Sequence, residues 1–359
     1  MRNTIARLVA LGLILAACSP GETEATSTTS TLASTTSSTT TTPTTTSEPV
    51  TTTSEADEAA TSFINGLAVE DETLLDRRVL AVKMDNHYRA RPQSGVDQAD
   101  MVIELMVEGV TRFLTIWHQS DVEYFGPMRS GRPTDPTLLA ALNEPTFAIS
   151  GAQNWVQSLI RSKDIYLTGE VSPATFRISG RFAPHNLYVN TVLLREYADS
   201  RDYPDIPPEG PIWEFGPMSS SAEQVEAVRI NFSGNIVNWE WDPESKIWLR
   251  VVNAGPSNWQ NEDEETGQIG LPVLVALYVD QYTVSPSGGA SGSSLPSSRT
   301  IGSGKAFVFA DGKVVEGTWE RESETEWFTL LDQDGEIIAV PPGKVWLSLV
   351  PSHSGLSFE

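Results

Sequence analysis

Four short stretches between residues 85 and 186 hold the side chains best suited to chemistry. The first is Asp85-Asn86-His87, followed by Arg91-Pro92-Gln93-Ser94-Gly95, at the end of an apolar run. The second is Glu104 and Glu108 with Thr111-Arg112, and the third is Gly126-Pro127-Met128-Arg129-Ser130-Gly131-Arg132-Pro133. The fourth is Ala183-Pro184-His185-Asn186. Arginine presents a planar fork that pairs with phosphate or carboxylate through two parallel hydrogen bonds. Carboxylates beside it can act as bases, and histidine titrates nearest neutrality. The combination points to anion recognition, or to acid–base work on an anionic substrate. The candidate residues are Asp85, Asn86, Arg91, Glu104, Glu108, Arg112, Arg129, Ser130, Arg132, His185 and Asn186.

Each stretch also has a plainer reading. Asp85 and Asn86 can cap a turn by bonding their own backbone. Glu104 and Glu108 on a polar sheet face, with Arg112 near, can form a solvated ion pair worth under about 1 kcal/mol. A three-residue loop would set Glu108 opposite Arg112, and a two-residue loop would leave them diagonal. Arg129 and Arg132 lie between Pro127 and Pro133, where the backbone is stiff, just ahead of a helix start; that fits an anion or an internal carboxylate partner. His185 is the best titratable candidate among four histidines, and a structural histidine bonded to a carbonyl is the favoured reading of it over a catalytic one. His87, His118, His185 and His353 show no paired metal-ligand spacing. No P-loop, nucleophile elbow or zinc-protease motif occurs, so neither a metal nor a cofactor is expected.

These stretches must be held by strands and short helices that alternate in the first half. Residues 79–82 read as a buried strand, and 101–107 with 113–118 as a hairpin whose Gly109 suits the first central position of a type II′ turn. On the first hairpin strand Met101, Ile103, Leu105 and Val107 share one face, and Glu104 and Glu108 the other. Asp135 as cap and Pro136 as first helical residue start a helix into 138–143. A strand over 147–150, an amphipathic segment around Trp155 and Ile160, and a helix over 191–200 follow. After a Pro-rich break at 203–211 the helical period disappears, and short strands with Asp311-Gly312 and Asp334-Gly335 turns run to residue 350. The fold class is α+β, an N-terminal mixed α/β layered domain (63–205) followed by a mostly antiparallel β domain (212–359), each folding on its own.

Charge separates the halves. Residues 63–202 hold 14 basic side chains, 12 of them Arg, against 18 acidic, whereas 203–359 hold 8 against 23. Anion-reading capacity therefore sits in the first half. The whole chain, with 24 Lys and Arg against 47 Asp and Glu, is no general nucleic-acid binder. With 39% hydrophobic residues over 359, it can bury real cores.

The N-terminus speaks for location. Arg2 and Arg7 precede a ten-residue apolar run over 8–17, too short for a mature span and right for a signal-peptide core. It ends in Leu15-Ala16-Ala17-Cys18, the pattern of a bacterial lipobox, in which Cys18 carries the lipid. The expectation is a signal peptide over 1–17 and anchoring to the outer face of the cytoplasmic membrane through lipidated Cys18. From residue 19 to 62 there are 27 Ser or Thr and no aromatic residue, so 18–62 reads as a disordered tether. A flexible chain of that length spans about 35–40 Å.

In their order these motifs resemble the YerB-type family of bacterial lipoproteins, a two-part domain of unknown function. The resemblance rests on Asp85-Asn86…Arg91-Pro92-Gln93-Ser94-Gly95, Asp100…Glu104…Glu108-Gly109…Thr111-Arg112, Gly126-Pro127…Arg129-Ser130…Arg132-Pro133 and Ala183-Pro184-His185-Asn186-Leu187-Tyr188. Gly302-Ser303-Gly304-Lys305-Ala306, Asp311-Gly312-Lys313, Gly317-Thr318-Trp319 and Pro342-Gly343 extend it through the second half, and the strongly acidic 258–265 departs from it. The resemblance implies a fold and a location and supplies no reaction.

Three functions stay open. The first is a non-catalytic envelope lipoprotein that binds an anionic wall component through the Arg-rich half. The second is a transferase or hydrolase on a phosphate-bearing glycopolymer or lipid carrier, with Asp85 or Glu104 as base and Arg129 and Arg132 stabilising charge. The third is a scaffold whose acidic β half docks a protein partner. Convergence of Asp85, Glu104, Arg129, Arg132 and His185 in one cleft separates the first two from the third.

Overall fold

The computed structural model describes residues 59–359; the expected signal peptide, Cys18 and the tether up to residue 58 lie outside the described residues. The last residues assigned to the tether belong to the fold: Thr61 bridges Ala68, and Ser62 is buried with its hydroxyl accepting the Ile64 and Asn65 amides.

The centre is built from three strands that are buried along their whole length: β1 (Leu80–Met84), β2 (Met101–Met106) and β3 (Thr111–Trp117). Such apolar runs suit strands covered on both faces. β3 lies antiparallel between β1 and β2, pairing Lys83 with Leu114 and Glu104 with Phe113. Beyond β1 follow β4 (Thr146–Ala148) and β5 (Tyr166–Thr168), both parallel to it. The helices α1 (Thr134–Leu139) and α2 (Asn154–Arg161) cross over this edge and close one face with Leu138, Val156 and Ile160 against Ala81, Ile103 and Leu114. Two short strands, β6 (Thr175–Arg177) and β7 (Leu187–Val189), and α3 (Thr191–Ser200), capped by the Asn190 side chain, complete the first half.

On the other side of β2 the sheet continues with strands of the second half. Val345–Pro351 runs parallel to β2 and to Val273–Val279, which pairs in turn with Gly302–Ala310 and through it Lys313–Arg321. The result is one mixed sheet of eleven strands. A separate antiparallel sheet, led by Ala227–Phe232, Asn235–Asp242 and Ile247–Val252, packs on its second face through Trp239 and Trp248 against Val82, Val102, Phe113 and Trp346.

This layout corrects the expectation of two independently folding units. All seven residues of Val345–Pro351 are buried, and the strand's hydrogen bonds are shared between β2 and Val273–Val279. Residues 63–205 and 212–359 therefore belong to one compact unit. The composition break at 203–211 is real; strand pairing across it is non-local and leaves no mark in composition.

Two local expectations also change. α1 starts at Thr134 with Pro133 in the cap position, so Asp135 lies inside the first turn. The β2–β3 loop is a two-residue turn in which Val107 N–H donates to Val110 O, and Gly109, at φ +72°, holds the second central position, not the first.

Candidate functional site

The candidate residues gather where three loops meet at the C-terminal end of β1. An extended segment, 125–129, is laid along that end. Asp85 N–H donates to Pro127 O (2.9 Å) and Arg129 N–H to Lys83 O (2.7 Å). On its other side Met128 N–H donates to Leu187 O (2.6 Å), and Phe125 bridges Val189 of β7. Gly126 is required here, since a Cβ would come 2.8 Å from the Tyr188 ring. The ladder thus sets Arg129 beside Asp85 and brings the loop ahead of β7, with His185, onto both.

Asp85 is the hub. Its carboxylate is buried; Oδ1 accepts the His87 amide (3.0 Å), and Oδ2 lies 2.7 Å from His185 Nδ1 and 3.4 Å from Arg129 Nε. A carboxylate only accepts, so Nδ1 of His185 carries the proton and Nε2 is left open. The His87 ring stacks on His185 with centroids 4.9 Å apart, and burial together with His185 holds His87 below the ordinary histidine range. The Arg129 side chain makes no hydrogen bond to any described residue; its buried Nε has only the Asp85 ion pair, at 3.4 Å.

A second tier of charge lies behind. Lys83 and Asp135 form a fully buried ion pair at 2.6 Å, and the other Asp135 oxygen accepts the Arg132 amide (2.7 Å). Arg132 Nε reaches Glu108 at 2.7 Å, while Arg112 donates to Ser130 O (2.8 Å) and lies 3.9 Å from Glu108, diagonal across the two-residue turn. Burial pushes Lys83 down to about 8, against the pull of Asp135, and Arg112 and Arg132 push the same way. Burial and then the neighbouring Arg132 lower Arg112 to about 10. Cations crowd here beyond what the local carboxylates neutralise.

Glu104 lies on the opposite sheet face and belongs to a different structure. Fully buried between the two sheets, it takes Arg250 Nη2 on both oxygens (2.9 and 3.1 Å), the Thr111 hydroxyl (2.6 Å) and Trp346 Nε1 (3.2 Å). Arg250 is itself fully buried, donates to Ser257 (2.9 Å) and sits over the rings of Phe113, Trp239 and Trp346. The solvated Glu104–Arg112 pair is therefore replaced by a buried bridge between the halves. Asn86 links this bridge to the surface loop: its amide donates to Thr111 (2.7 Å), and its oxygen accepts Arg91 Nε (3.1 Å) and Gln93 (3.0 Å).

Of the candidates, Asp85, Arg129 and His185 meet directly, and Arg112, Ser130, Arg132 and Glu108 form the tier behind them. Asn86, Arg91 and Glu104 form a neighbouring network. Asn186 does neither: it braces its own loop by donating to Arg181 O (3.1 Å) and accepting Arg177 (2.8 Å). Sequence reasoning missed Lys83, Asp135 as a charge partner, and Arg250. The last left a signal, because Trp248 and Arg250 share one face of a strand, and that face is the core. Among the described residues no group of three or more His, Cys, Asp or Glu is placed to hold a metal ion.

A cleft of about 200 Å³ opens beside the site, between the 86–91 loop, the β2–β3 turn and the hairpin turns at 234–237 and 252–253. A larger cleft, about 740 Å³, is elsewhere, walled by Glu209, Glu320, Glu322 and Glu326 with Arg321 among them; its sign is wrong for an anion, and it contains none of the candidates.

Comparison with known proteins gives a consistent family. Residues 64–204 match the family described as "Protein of unknown function (DUF3048) N-terminal domain", and residues 228–347 match the corresponding C-terminal domain. The chain is 25% identical over 303 residues to "Putative lipoprotein YerB" of Bacillus subtilis (strain 168), covering 82% of this chain and 88% of that protein. The crystal structure of YerB from Bacillus subtilis superposes with a TM-score of 0.69 at 23% identity, covering 83% of this chain and 99% of that one. This likeness shows the fold. No helix among the described residues is long and apolar enough to cross a membrane.

Proposed function

The chain belongs to the DUF3048 family, whose function is unknown, and on that premise we propose that it is a lipid-anchored envelope protein that holds an anionic envelope component at Arg129 and His185. Two things support the anchor: the lipobox ending in Cys18, and a relative that is named a lipoprotein. Anchoring through Cys18 would leave the folded part on the outer face of the cytoplasmic membrane.

The observation that carries the ligand reading is the state of Arg129. Its side chain is 23% exposed, its one ion-pair partner among the described residues is Asp85 at 3.4 Å, and Asp85 is already committed to His185 and the His87 amide. A buried Nε–H without a hydrogen bond is costly, and an anion accepting the fork through Nε and an Nη removes that cost. The opposing sign also fits, since this cationic site lies in a strongly acidic chain. The test is a melting series with inorganic phosphate and pyrophosphate at two salt concentrations. Saturating ligand, at about 100 times Kd, should stabilise the wild type by about 2.7 kcal/mol. Arg129→Lys, which keeps the charge and loses the fork, should abolish most of this. A wild type that does not respond reduces Arg129 to a structural neighbour of Asp85.

A catalytic version of the same reading has one observation behind it. Asp85 fixes the His185 tautomer and leaves Nε2 open, which is how a carboxylate prepares a histidine to take or give a proton. A bound phosphate ester that is turned over by the wild type and only bound by His185→Gln would favour it.

A further inference from the structure

The walls of the 200 Å³ cleft differ in character from the charged site it adjoins. Tyr88 stands on one side, 64% exposed, with its ring 4.3 Å from that of His87. His87 stacks in turn on His185, so a tier of three rings leads from the cleft to the carboxylate of Asp85. Arg89 also reaches Tyr88, donating Nε to its hydroxyl (3.0 Å) with the guanidinium 5.5 Å from the ring; the rest of the ring lies in water at the mouth of the cleft, where it can take an apolar partner. It is not alone: Phe182, 90% exposed, lies on the loop that Arg181 stitches to the carbonyls of Ala90 and Pro92. Facing Tyr88 are polar groups with capacity to spare. Asn235 uses its amide nitrogen on Gly109 O (3.1 Å) and Phe232 O (3.2 Å), which fixes the side chain and leaves its oxygen free among the described residues. Arg91 spends Nε and Nη2 on Asn86 and keeps Nη1, and Asn253 makes no hydrogen bond to a described residue. Val237 and Val252 supply an apolar floor.

We infer that the ligand is a sugar bearing an acidic group, with its ring in this cleft and its phosphate or carboxylate on Arg129. The inference rests on the anion site proposed above and adds the ligand's class. A pyranose has an apolar C–H face edged by hydroxyls, and the cleft offers an aromatic face and apolar floor ringed by amide and guanidinium groups. A bare phosphate would leave Tyr88 and the two asparagines without a role. An acyl chain would find polar amides where it needs an apolar groove.

Titration calorimetry on the purified full-length protein in detergent tests this, with inorganic phosphate, glucose, glucose 1-phosphate and glucuronate as probes. At least one of the two sugar acids should bind about tenfold tighter than inorganic phosphate, with glucose the weakest. Which sugar acid wins separates phosphate from carboxylate recognition. Tyr88→Ala should remove that tenfold gain and bring the sugar acids down to the affinity of inorganic phosphate. If inorganic phosphate binds and neither sugar acid binds tighter, or if Tyr88→Ala leaves their affinity intact, the inference is overturned and the anion site stands. If no probe binds, both readings fall.

Discussion

Replacing Arg250 by methionine keeps most of the aliphatic volume over Phe113, Trp239 and Trp346 and removes the charge. What remains is Glu104, wholly buried, with the Thr111 hydroxyl, the Asn86 amide and the Trp346 indole as its donors. Those are neutral hydrogen bonds to a carboxylate that has lost its counter-ion. Breaking a buried pair from one side costs about 3–5 kcal/mol. For a unit of this size, at about 2 °C per kcal/mol, Tm should fall by roughly 6–10 °C. Glu104→Gln should cost less, since the cation keeps its ring contacts, worth about 2 kcal/mol when desolvated. The decisive variant is Glu104→Met with Arg250→Met. Apolar replacement of both partners is often close to neutral, so the double variant should be more stable than Arg250→Met alone. Urea unfolding of the wild type, Arg250→Met, Glu104→Met and the double variant, followed by tryptophan fluorescence, closes the cycle and gives the coupling energy directly. Additive single costs, or an Arg250→Met loss below about 1 kcal/mol, would refute the account of this pair as a buried bridge.

Acid should destabilise the protein through His118, which is fully buried and held at about 4 by desolvation and Arg195, against 6.5 when free. Between those values the unfolded chain binds the extra proton, so stability is lost as pH falls from 6.5 towards 4, by about 3 kcal/mol; His118→Gln should flatten that limb of the stability–pH curve. Residues 212–359 expressed alone should lack a cooperative melt, because Val345–Pro351 would lose β2; a sharp transition with β-type circular dichroism would contradict the single-unit fold. Cys18→Ala should move the mature protein from the membrane to the soluble fraction, and unchanged membrane retention would exclude the lipid anchor.

Much of the scaffold was legible because it follows local rules. α3 is bounded by an Asn190 cap and an apolar spacing, and it occupies residues 191–200 as read. The alternation along β2 correctly divides Ile103 and Leu105 from Glu104. What alternation cannot say is that a second sheet covers the polar side, and this turns Glu104 from a surface residue into a buried one. Lys83 was hidden for a similar reason: one lysine in an apolar strand reads as an exception until the topology supplies Asp135. His185 and Asn186 are adjacent in sequence, yet one reaches Asp85 while the other turns back on Arg181, because His185 closes a turn on Phe182 O and Asn186 leaves that turn for β7.

The position of Val345–Pro351 has a consequence for how the protein comes into being. Glu104 and its partner Trp346 are 242 residues apart, so a chain that emerges N-terminus first exposes the unsatisfied edge of β2 through most of its synthesis. Long-range parallel pairing of this kind is slow to close and open to mispairing while it waits. A chaperone would thus meet a half-sheet with one bare apolar edge. A ribosome that stopped before residue 345 would release a species prone to aggregate, not a smaller working domain.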